Sequence, residues 1–215
     1  MLRGKRLSIL GDSISTYQGA SNNASANSTT INNPYYYRAP FPIEKTYWRQ
    51  VMSSFVLSLC VNNSWSGGNL SGRDDKSSGV NRARELSCDD GTSPDIIIVF
   101  MGINDLGRNV SADTFAADYE RTLTVIKERH PKAKVCCVNL PNRDIFTKRK
   151  TEEFNERIAD AVLALGNNFF IADLFHSRLC GDFYYMNTTD GLHPDEDGMK
   201  IIAEVVGMAI RKNCC

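Results

Sequence analysis

The stretch that most constrains the fold is Asp95–Met101 (DIIIVFM), an almost unbroken run of β-branched and aromatic residues directly after Pro94. Apolar runs without polar alternation are typical of strands that are buried on both faces, as at the centre of a parallel sheet. The sequence therefore predicts a central parallel strand here, and the rest of the chain is expected to supply its neighbours and the helices that cover them.

Four more strands and five helices are predicted around this strand. The length of 215 residues suits a single domain, residues 1–215. Regular alternation of strands and helices indicates a three-layer α/β/α fold with a flavodoxin-like, five-stranded parallel sheet. The other predicted strands are Leu7–Leu10, Ser58–Asn62, Ala133–Leu140 and Asn168–Ala172, and the predicted helices are Thr46–Leu57, Val80–Ser87, Ser111–Arg129 with Ser111 as its N-cap, Lys148–Leu165 and Gly198–Lys212.

The charge balance and the hydropathy of the chain limit which classes of partner are expected. The 25 basic and 25 acidic residues cancel, so no excess positive charge attracts phosphate backbones or anionic lipid, and we expect no nucleic-acid partner. The apolar runs are far shorter than the ~20 residues that span a bilayer, so no membrane partner is expected. Three basic residues lead directly into the first strand, which predicts a cytoplasmic protein, or a secreted or periplasmic one if a leader has been removed. The sequence gives no oligomeric state.

The seven cysteines do not form a recognisable pattern. They are odd in number and lack CxxC spacing or nearby histidines, which argues against a zinc site and against a complete disulfide framework. We expect most of them to be small core residues in a reducing compartment. Cys214 and Cys215 are expected to lie in a frayed terminus. No metal or other cofactor is predicted.

A segment of about 30 residues, 16–45, interrupts the alternation after the first strand. It is rich in Asn, Ser, Thr and Pro and carries Tyr35, Tyr36 and Tyr37. Long connections inside compact domains tend to be functional lids or disordered. Tyrosine rings give flat apolar faces with a polar end, so this insertion is expected to wall a substrate pocket. The alternative is that the tyrosines pack the loop onto the domain.

Polar clusters follow three of the predicted strands, and a fourth precedes the last helix. They are the Gly11-Asp12-Ser13 turn, Ser66–Gly68, Gly102–Asp105 and Asp190–Pro194. Each cluster alone has ordinary turn composition. In a doubly wound sheet, however, the loops after the strands share one edge, so these residues are predicted to meet in one crevice.

These four clusters resemble the sequence blocks of the SGNH hydrolase superfamily, also called the GDSL lipase/acylhydrolase family. GDS at Gly11–Ser13 matches its nucleophile block, SGG at Ser66–Gly68 its glycine block, GIND at Gly102–Asp105 its asparagine block and DGLHP at Asp190–Pro194 its terminal block. The matches occur in the family's order and span nearly the whole chain. Two departures are the Ile-Ser that follows Ser13 in place of Leu, and the long insertion at 16–45.

The resemblance implies a role for each cluster. Ser13 would be the nucleophile, His193 its base and Asp190 the partner of His193, while the Ser13 N–H, the Gly67 N–H and the Asn104 side chain would hold the oxyanion. These residue types suit that chemistry, because a serine hydroxyl needs an imidazole to accept its proton and the imidazole needs a carboxylate to fix its tautomer.

Other polar residues near these clusters are assigned different roles. His176 is the only competitor for the base. His130, at a helix end before Pro131, is expected to interact with the helix dipole. Asp12 and Asp105 are expected to organise loops.

The leading hypothesis is a serine esterase without cofactor that removes a small O-acyl group from a small-molecule or glycan ester. Acetyl on a carbohydrate is the preferred substrate, because the resemblance implies sugar deacetylases among its members. The rival within the class is a lipase or lysophospholipase. Two alternatives come from other classes: a non-catalytic carbohydrate-binding domain and a flavodoxin-like phosphate or flavin binder. The chain lacks a GxGxxG loop, which counts against the phosphate or flavin binder.

Overall fold

A computed structural model describes residues 2–17, 40–143 and 147–215 of the chain. Its centre is a parallel sheet of five strands: β1 (Arg6–Gly11), β2 (Ser58–Ser64), β3 (Ile96–Phe100), β4 (Lys134–Val138) and β5 (Phe169–Ala172). The strand order is β2-β1-β3-β4-β5, the doubly wound order of flavodoxin-like folds. Every residue of β3 is buried, as its apolar sequence predicts.

Seven helices are present in the described ranges and cover both faces of this sheet. They are α1 (Tyr47–Phe55), α2 (Gly79–Arg82), α3 (Ile103–Gly107), α4 (Ala112–Arg129), α5 (Lys148–Leu165), α6 (Asp182–Met186) and α7 (Glu196–Cys214). α1 packs against α7 on one face, and α4 packs against α2 and α5 on the other. The predicted three-layer α/β/α fold is therefore confirmed.

The helix ends follow local capping chemistry. Ser111 caps α4 as predicted, with its hydroxyl accepting a hydrogen bond from the Thr114 N–H at 3.1 Å. The prediction that the last helix begins at Gly198 is wrong by two residues: Asp195 caps α7 by accepting from the Gly198 N–H at 2.9 Å, so the helix starts at Glu196. Two short helices, α3 and α6, were not predicted because each spans only five residues and lacks a readable apolar period.

The cysteines depart from the sequence expectation in two places. Cys60 and Cys88 form a disulfide with a Cα–Cα distance of 4.4 Å, so these two are not free core thiols. Cys60 lies where the β1–β2 register shifts, a local irregularity that a sequence pattern does not reveal. Cys214 is not frayed: it belongs to α7 and packs partly buried against the core. Cys136 and Cys137 are buried, as expected of small core residues.

Candidate active site

Ser13 lies directly after β1, at the carboxyl end of an inner strand. β1 ends at Gly11, and a single 3₁₀ turn that begins at Ser13 follows. Asp12 caps this turn, since its carboxylate accepts a hydrogen bond from the Ile14 N–H at 3.0 Å. A Cβ atom on Gly11 would lie 2.5 Å from the hydroxyl oxygen of Ser15, so glycine is required for so close an approach. Ser13 is 4% exposed at this edge of the sheet.

His193 connects Ser13 to a carboxylate. Its Nε2 atom lies 3.0 Å from the Ser13 Oγ, and its Nδ1 atom lies 2.7 Å from the Asp190 Oδ2. The other oxygen of Asp190 accepts hydrogen bonds from the backbone N–H groups of Leu192, at 3.0 Å, and His193, at 2.7 Å. Gly191, between Asp190 and His193, has a φ of 80°, a conformation that glycine adopts without steric cost and that allows this tight loop. The three side chains thus form a Ser–His–Asp relay.

The same hydrogen bonds favour the ionised form of Asp190. Partial burial acts to raise the pKa of its carboxyl group, but the backbone and ring of His193 and the backbone of Leu192 donate hydrogen bonds that outweigh burial. The pKa is lowered as a result. A carboxylate in this position stabilises the imidazolium that forms when Nε2 takes up a proton.

The glycine turn follows β2 at the same edge of the sheet. The Trp65 carbonyl accepts a hydrogen bond from the Gly68 N–H at 2.9 Å, which closes a β-turn. Gly67 has a φ of 72°, a conformation that glycine adopts without steric cost. A Cβ on Gly68 would lie 2.8 Å from the Ser77 carbonyl oxygen, so this second position has no room for a side chain. The two glycines are therefore required for different reasons.

Asn104 links this turn to the serine. Its Nδ2 atom donates to the Gly68 carbonyl at 3.0 Å and lies 3.5 Å from the Asp12 Oδ2. Gly68 adjoins Gly67, and Asp12 adjoins Ser13. The Asn104 amide therefore sits between the chain neighbours of the two other predicted oxyanion donors, so the structure brings all four polar clusters of the sequence together.

A buried arginine that sequence reasoning missed supports the end of β1. Arg82 donates from Nη2 to the Gly11 carbonyl at 3.0 Å and from Nε to the Ser77 carbonyl at 2.8 Å. Burial lowers its pKa to about 10. Burial also raises the pKa of the neighbouring Asp12 to about 7, against the opposing effects of the Ile14 N–H and the charge of Arg82. Nothing in the sequence marks Arg82, because it lies in a short helix among other charged residues.

Asp105 organises a loop, as predicted. Its two carboxylate oxygens accept hydrogen bonds from the backbone N–H groups of Leu70, at 2.7 Å, and Ser71, at 2.9 Å. Burial raises its pKa although these hydrogen bonds oppose the shift. Asp105 thereby fixes the chain that follows the glycine turn, and Asp12 has the corresponding structural role as a cap beside Ser13.

The competing histidine lies away from the serine. His176 repeats the local geometry of the site, since its Nδ1 atom lies 2.8 Å from the Asp173 Oδ2 three residues earlier. Its side chain is 76% exposed, and the histidine that contacts Ser13 is His193. The structure therefore separates the two Asp-x-x-His pairs that the sequence alone left in competition.

His130 lies at a helix end, as predicted. It is the C-cap of α4, and its Nδ1 atom contacts the Ser93 hydroxyl at 3.0 Å. Burial, and then the charge of Arg129, lower the pKa of the ring. Burial therefore opposes the charged form of the ring, and the predicted interaction with the helix dipole stays a prediction.

The structure describes only the two ends of the predicted insertion at 16–45. The three tyrosines, Tyr35, Tyr36 and Tyr37, lie outside the described residues. The Tyr17 hydroxyl donates to the Phe41 carbonyl at 2.8 Å, so the insertion leaves and re-enters the domain at one place. The last residues of the predicted insertion, Ile43–Lys45, form a 3₁₀ turn before α1 and contact α7.

A second residue missed from the sequence lies beneath the terminal loop. Tyr184, in α6, is fully buried, and its hydroxyl donates to the Leu192 carbonyl at 2.6 Å. It therefore supports the loop that carries Asp190 and His193. The aromatic residues before this loop were visible in the sequence, but their spacing did not show which ring would be buried.

Two kinds of site are not seen in the described ranges. No group of three or more His, Cys, Asp or Glu side chains among those residues is arranged to hold a metal ion. No helix in that part of the chain is both long and apolar enough to cross a membrane.

Comparison with protein families gives one match that covers most of the chain. Residues 9–201 match the model of the GDSL-like Lipase/Acylhydrolase family. This range includes Ser13, Gly67, Asn104, Asp190 and His193. A comparison with curated proteins found no match.

Solved structures share the fold at low sequence identity. A protein from Bacteroides ovatus named as a GDSL-like lipase is 24% identical, with a TM-score of 0.70 over 97% of this chain and 99% of its own. Esterase EstA from Pseudoalteromonas sp., inhibited by monoethylphosphonate, is 16% identical, with a TM-score of 0.66 over 97% of each chain. A family two carbohydrate esterase from Cellvibrio japonicus is 17% identical, with a TM-score of 0.69 over 99% of this chain and 62% of its own.

Proposed function

This chain belongs to the GDSL-like lipase/acylhydrolase family, and from that premise we propose that it is a serine esterase that works through an acyl-enzyme. The observation that carries the proposal is the unbroken relay from Ser13 through His193 to Asp190, with contacts of 3.0 and 2.7 Å. Nucleophile and base within hydrogen-bond reach, with a third group orienting the base, is the arrangement that activates a serine.

In the first step, the Ser13 Oγ attacks the ester carbonyl carbon while His193 Nε2 takes the hydroxyl proton. The carbonyl oxygen becomes an alkoxide, for which the N–H groups of Ser13 and Gly67 and the amide of Asn104 are the proposed donors. Each such donor contributes about 3 kcal/mol to transition-state stabilisation. The carbon–oxygen bond to the alcohol then breaks, and the alcohol leaves with the proton from His193.

Water completes the cycle. His193 takes a proton from a water molecule as the water oxygen attacks the acyl carbon, and it returns the proton to the Ser13 Oγ as the acid leaves. Asp190 remains a carboxylate throughout, which agrees with its lowered pKa. These steps use only the side chains and backbone groups of this chain together with water.

For the substrate, we propose a small O-acyl group, with acetyl on a carbohydrate preferred. The shared fold with a carbohydrate esterase is consistent with this choice. One feature favours a second candidate, a lipase or lysophospholipase: α6, directly before the terminal loop, exposes Phe183 at 60% and Met186 at 73%. Apolar side chains at this position would contact a longer acyl chain.

The test is hydrolysis of 4-nitrophenyl esters of increasing acyl length by the protein and its Ser13→Ala variant, with acetylated xylan and acetylated sialic acid as natural-type substrates. The proposal predicts hydrolysis that is highest for acetyl and is lost in Ser13→Ala. Preference for chains beyond about eight carbons would support the lipase candidate. Equal rates for both proteins, or none, would leave a non-catalytic carbohydrate-binding domain.

A further inference from the structure

An arginine side chain lies against the backbone of the glycine turn. Arg108, directly after α3, donates from Nη1 to the Asn69 Oδ1 at 2.6 Å. Its Nη2 atom is 3.6 Å from the position that a Cβ on Gly67 would occupy. The Arg108 N–H also donates to the Asn104 carbonyl at 2.9 Å, which places it one helical turn after that residue. The guanidinium group of Arg108 therefore lies beside Gly67, one of the three proposed oxyanion donors.

A second arginine lies in the segment that follows β4. The carbonyl of Asn142 accepts a hydrogen bond from the Gly181 N–H at 2.7 Å, which ties this segment to the start of α6. The Nε atom of the next residue, Arg143, is buried and has no hydrogen-bond partner among the described residues. Burial is the main cause of the raised pKa of Tyr184. Among nearby charges Arg143 acts to lower that pKa, and Asp190 acts to raise it.

Neither guanidinium has an acidic partner among the described residues. Within the described ranges, no carboxylate oxygen lies within 4.0 Å of Arg108 or Arg143, whereas Arg73 and Arg178 pair with Asp118 and Glu204. A guanidinium group presents five N–H donors in a planar fork that fits a carboxylate. Within the part of the chain that the structure describes, Arg108 carries a positive charge beside the glycine turn with no carboxylate to balance it, and Arg143 has a buried Nε donor without a partner. Such groups are suited to an anion that arrives from outside the chain.

We propose that the ester hydrolysed at this site carries a carboxylate, which Arg108 binds while Arg143 supplies a second positive charge. This inference rests on the proposed esterase activity. The carboxylate belongs either to the acyl part of the ester or to the alcohol part, as in an acetylated sugar acid. In both cases the ligand group is a carboxylate that binds at the edge of the glycine turn.

The test compares matched neutral and anionic esters on the full chain. For the acyl part, 4-nitrophenyl butyrate is compared with 4-nitrophenyl hemisuccinate, which has the same chain length, and for the alcohol part, acetylated glucose is compared with acetylated glucuronic acid. We expect a preference of about fivefold or more in kcat/KM for the anionic member of one pair, which decreases as salt is added. The pair that shows the preference identifies which part carries the carboxylate.

The variants are Arg108→Gln, Arg143→Gln and Arg108→Lys. Each glutamine variant is expected to raise the KM of the preferred anionic ester about fivefold, with activity on its neutral counterpart within about twofold. Arg108→Lys keeps the charge and is expected to retain part of the preference. Arg121→Gln, on the exposed side of α4, is the control and should change neither ester. No preference for either anion, or a parallel loss on neutral and anionic esters, would overturn the inference.

A binding measurement separates this inference from the esterase proposal. Titration of Ser13→Ala with acetylated glucuronic acid, acetylated glucose, hemisuccinate ester and butyrate ester reports charge preference without turnover. Hydrolysis of neutral esters without any charge preference would contradict the inference alone. Absence of hydrolysis with tighter anion binding that depends on Arg108 would contradict the esterase proposal and support the anion site.

Discussion

The Nε2 atom of His193 lies 3.0 Å from the Oγ of Ser13, although 180 positions separate the two residues in the chain. The contact exists because β1 is an inner strand and the loop before α7 returns to the carboxyl edge of the same parallel sheet. Neither residue is held by its partner alone: Asp12 caps the turn at Ser13, and Asp190 hydrogen-bonds both the ring and the backbone of His193.

The two Asp-x-x-His pairs give a direct test of this contact. His193→Ala removes the group that accepts the Ser13 proton, so kcat/KM for 4-nitrophenyl acetate should fall by about 10³-fold or more. His176→Ala removes a histidine with the same local geometry that contacts Asp173 instead. Its activity should stay within about twofold of the unmodified protein. Equal losses in steady-state kinetics of the two variants would contradict the assignment.

Asn104→Ala tests the proposed oxyanion site. Because the amide is expected to act on the charge that develops in the transition state, kcat should fall by about 10²- to 10³-fold while KM changes by less than about threefold. Steady-state kinetics with 4-nitrophenyl acetate checks this. Asn168→Ala is a control, since that side chain contacts the Pro131 carbonyl instead of the site. A rise in KM with unchanged kcat would show that Asn104 only binds substrate.

The two glycines of the turn should respond differently to alanine. In Gly68→Ala the new Cβ meets backbone oxygens at 2.8 and 3.0 Å, so the free energy of unfolding should fall by about 1 to 3 kcal/mol. In Gly67→Ala the new Cβ meets only the Arg108 Nη2 atom, at an ordinary contact distance of 3.6 Å, but φ is 72°, and the cost should be about 1 kcal/mol. Urea denaturation measures both. A Gly68→Ala variant as stable as the unmodified protein would contradict the described turn.

Asp12→Asn should remove a dependence of stability on pH. The pKa of Asp12 is about 7 in the folded protein and near 3.8 when unfolded, so between about pH 4 and 7 the folded state holds a proton that the unfolded state has released. Raising the pH through this window therefore destabilises the unmodified protein relative to the variant, by at most about 1.4 kcal/mol per pH unit. Urea denaturation from pH 4 to 8 measures the difference in the free energy of unfolding between the two proteins. A difference that does not change with pH would contradict a raised pKa for the buried Asp12.

Much of the site was predictable because it lies where strands end. The apolar runs of β1, β2 and β3 set the sheet, and the parallel arrangement then forces Ser13, Gly67 and Asn104 to one edge. The last pair, Asp190 and His193, precedes a strongly amphipathic helix that has to return across the same sheet. The sequence pattern therefore predicted which loops meet.

What could not be predicted depends on contacts between distant side chains. Arg82 is buried beneath the end of β1, yet its sequence neighbourhood is that of an exposed helix. Tyr184 supports the terminal loop from a helix too short to show a period. The Cys60–Cys88 disulfide joins a register shift in β2 to a loop 28 residues away, which no spacing rule indicates. Such contacts follow from the tertiary fold.

The most direct test of a reaction centre at Ser13 is covalent labelling of the intact protein with a fluorophosphonate, followed by mass measurement and peptide mapping. An activated serine attacks phosphorus and expels fluoride, so we predict one adduct on Ser13, formed much more slowly in His193→Ala and absent in Ser13→Ala. An adduct on another residue, or continued ester hydrolysis with Ser13 unmodified, would contradict the claim that Ser13 and His193 form the reaction centre.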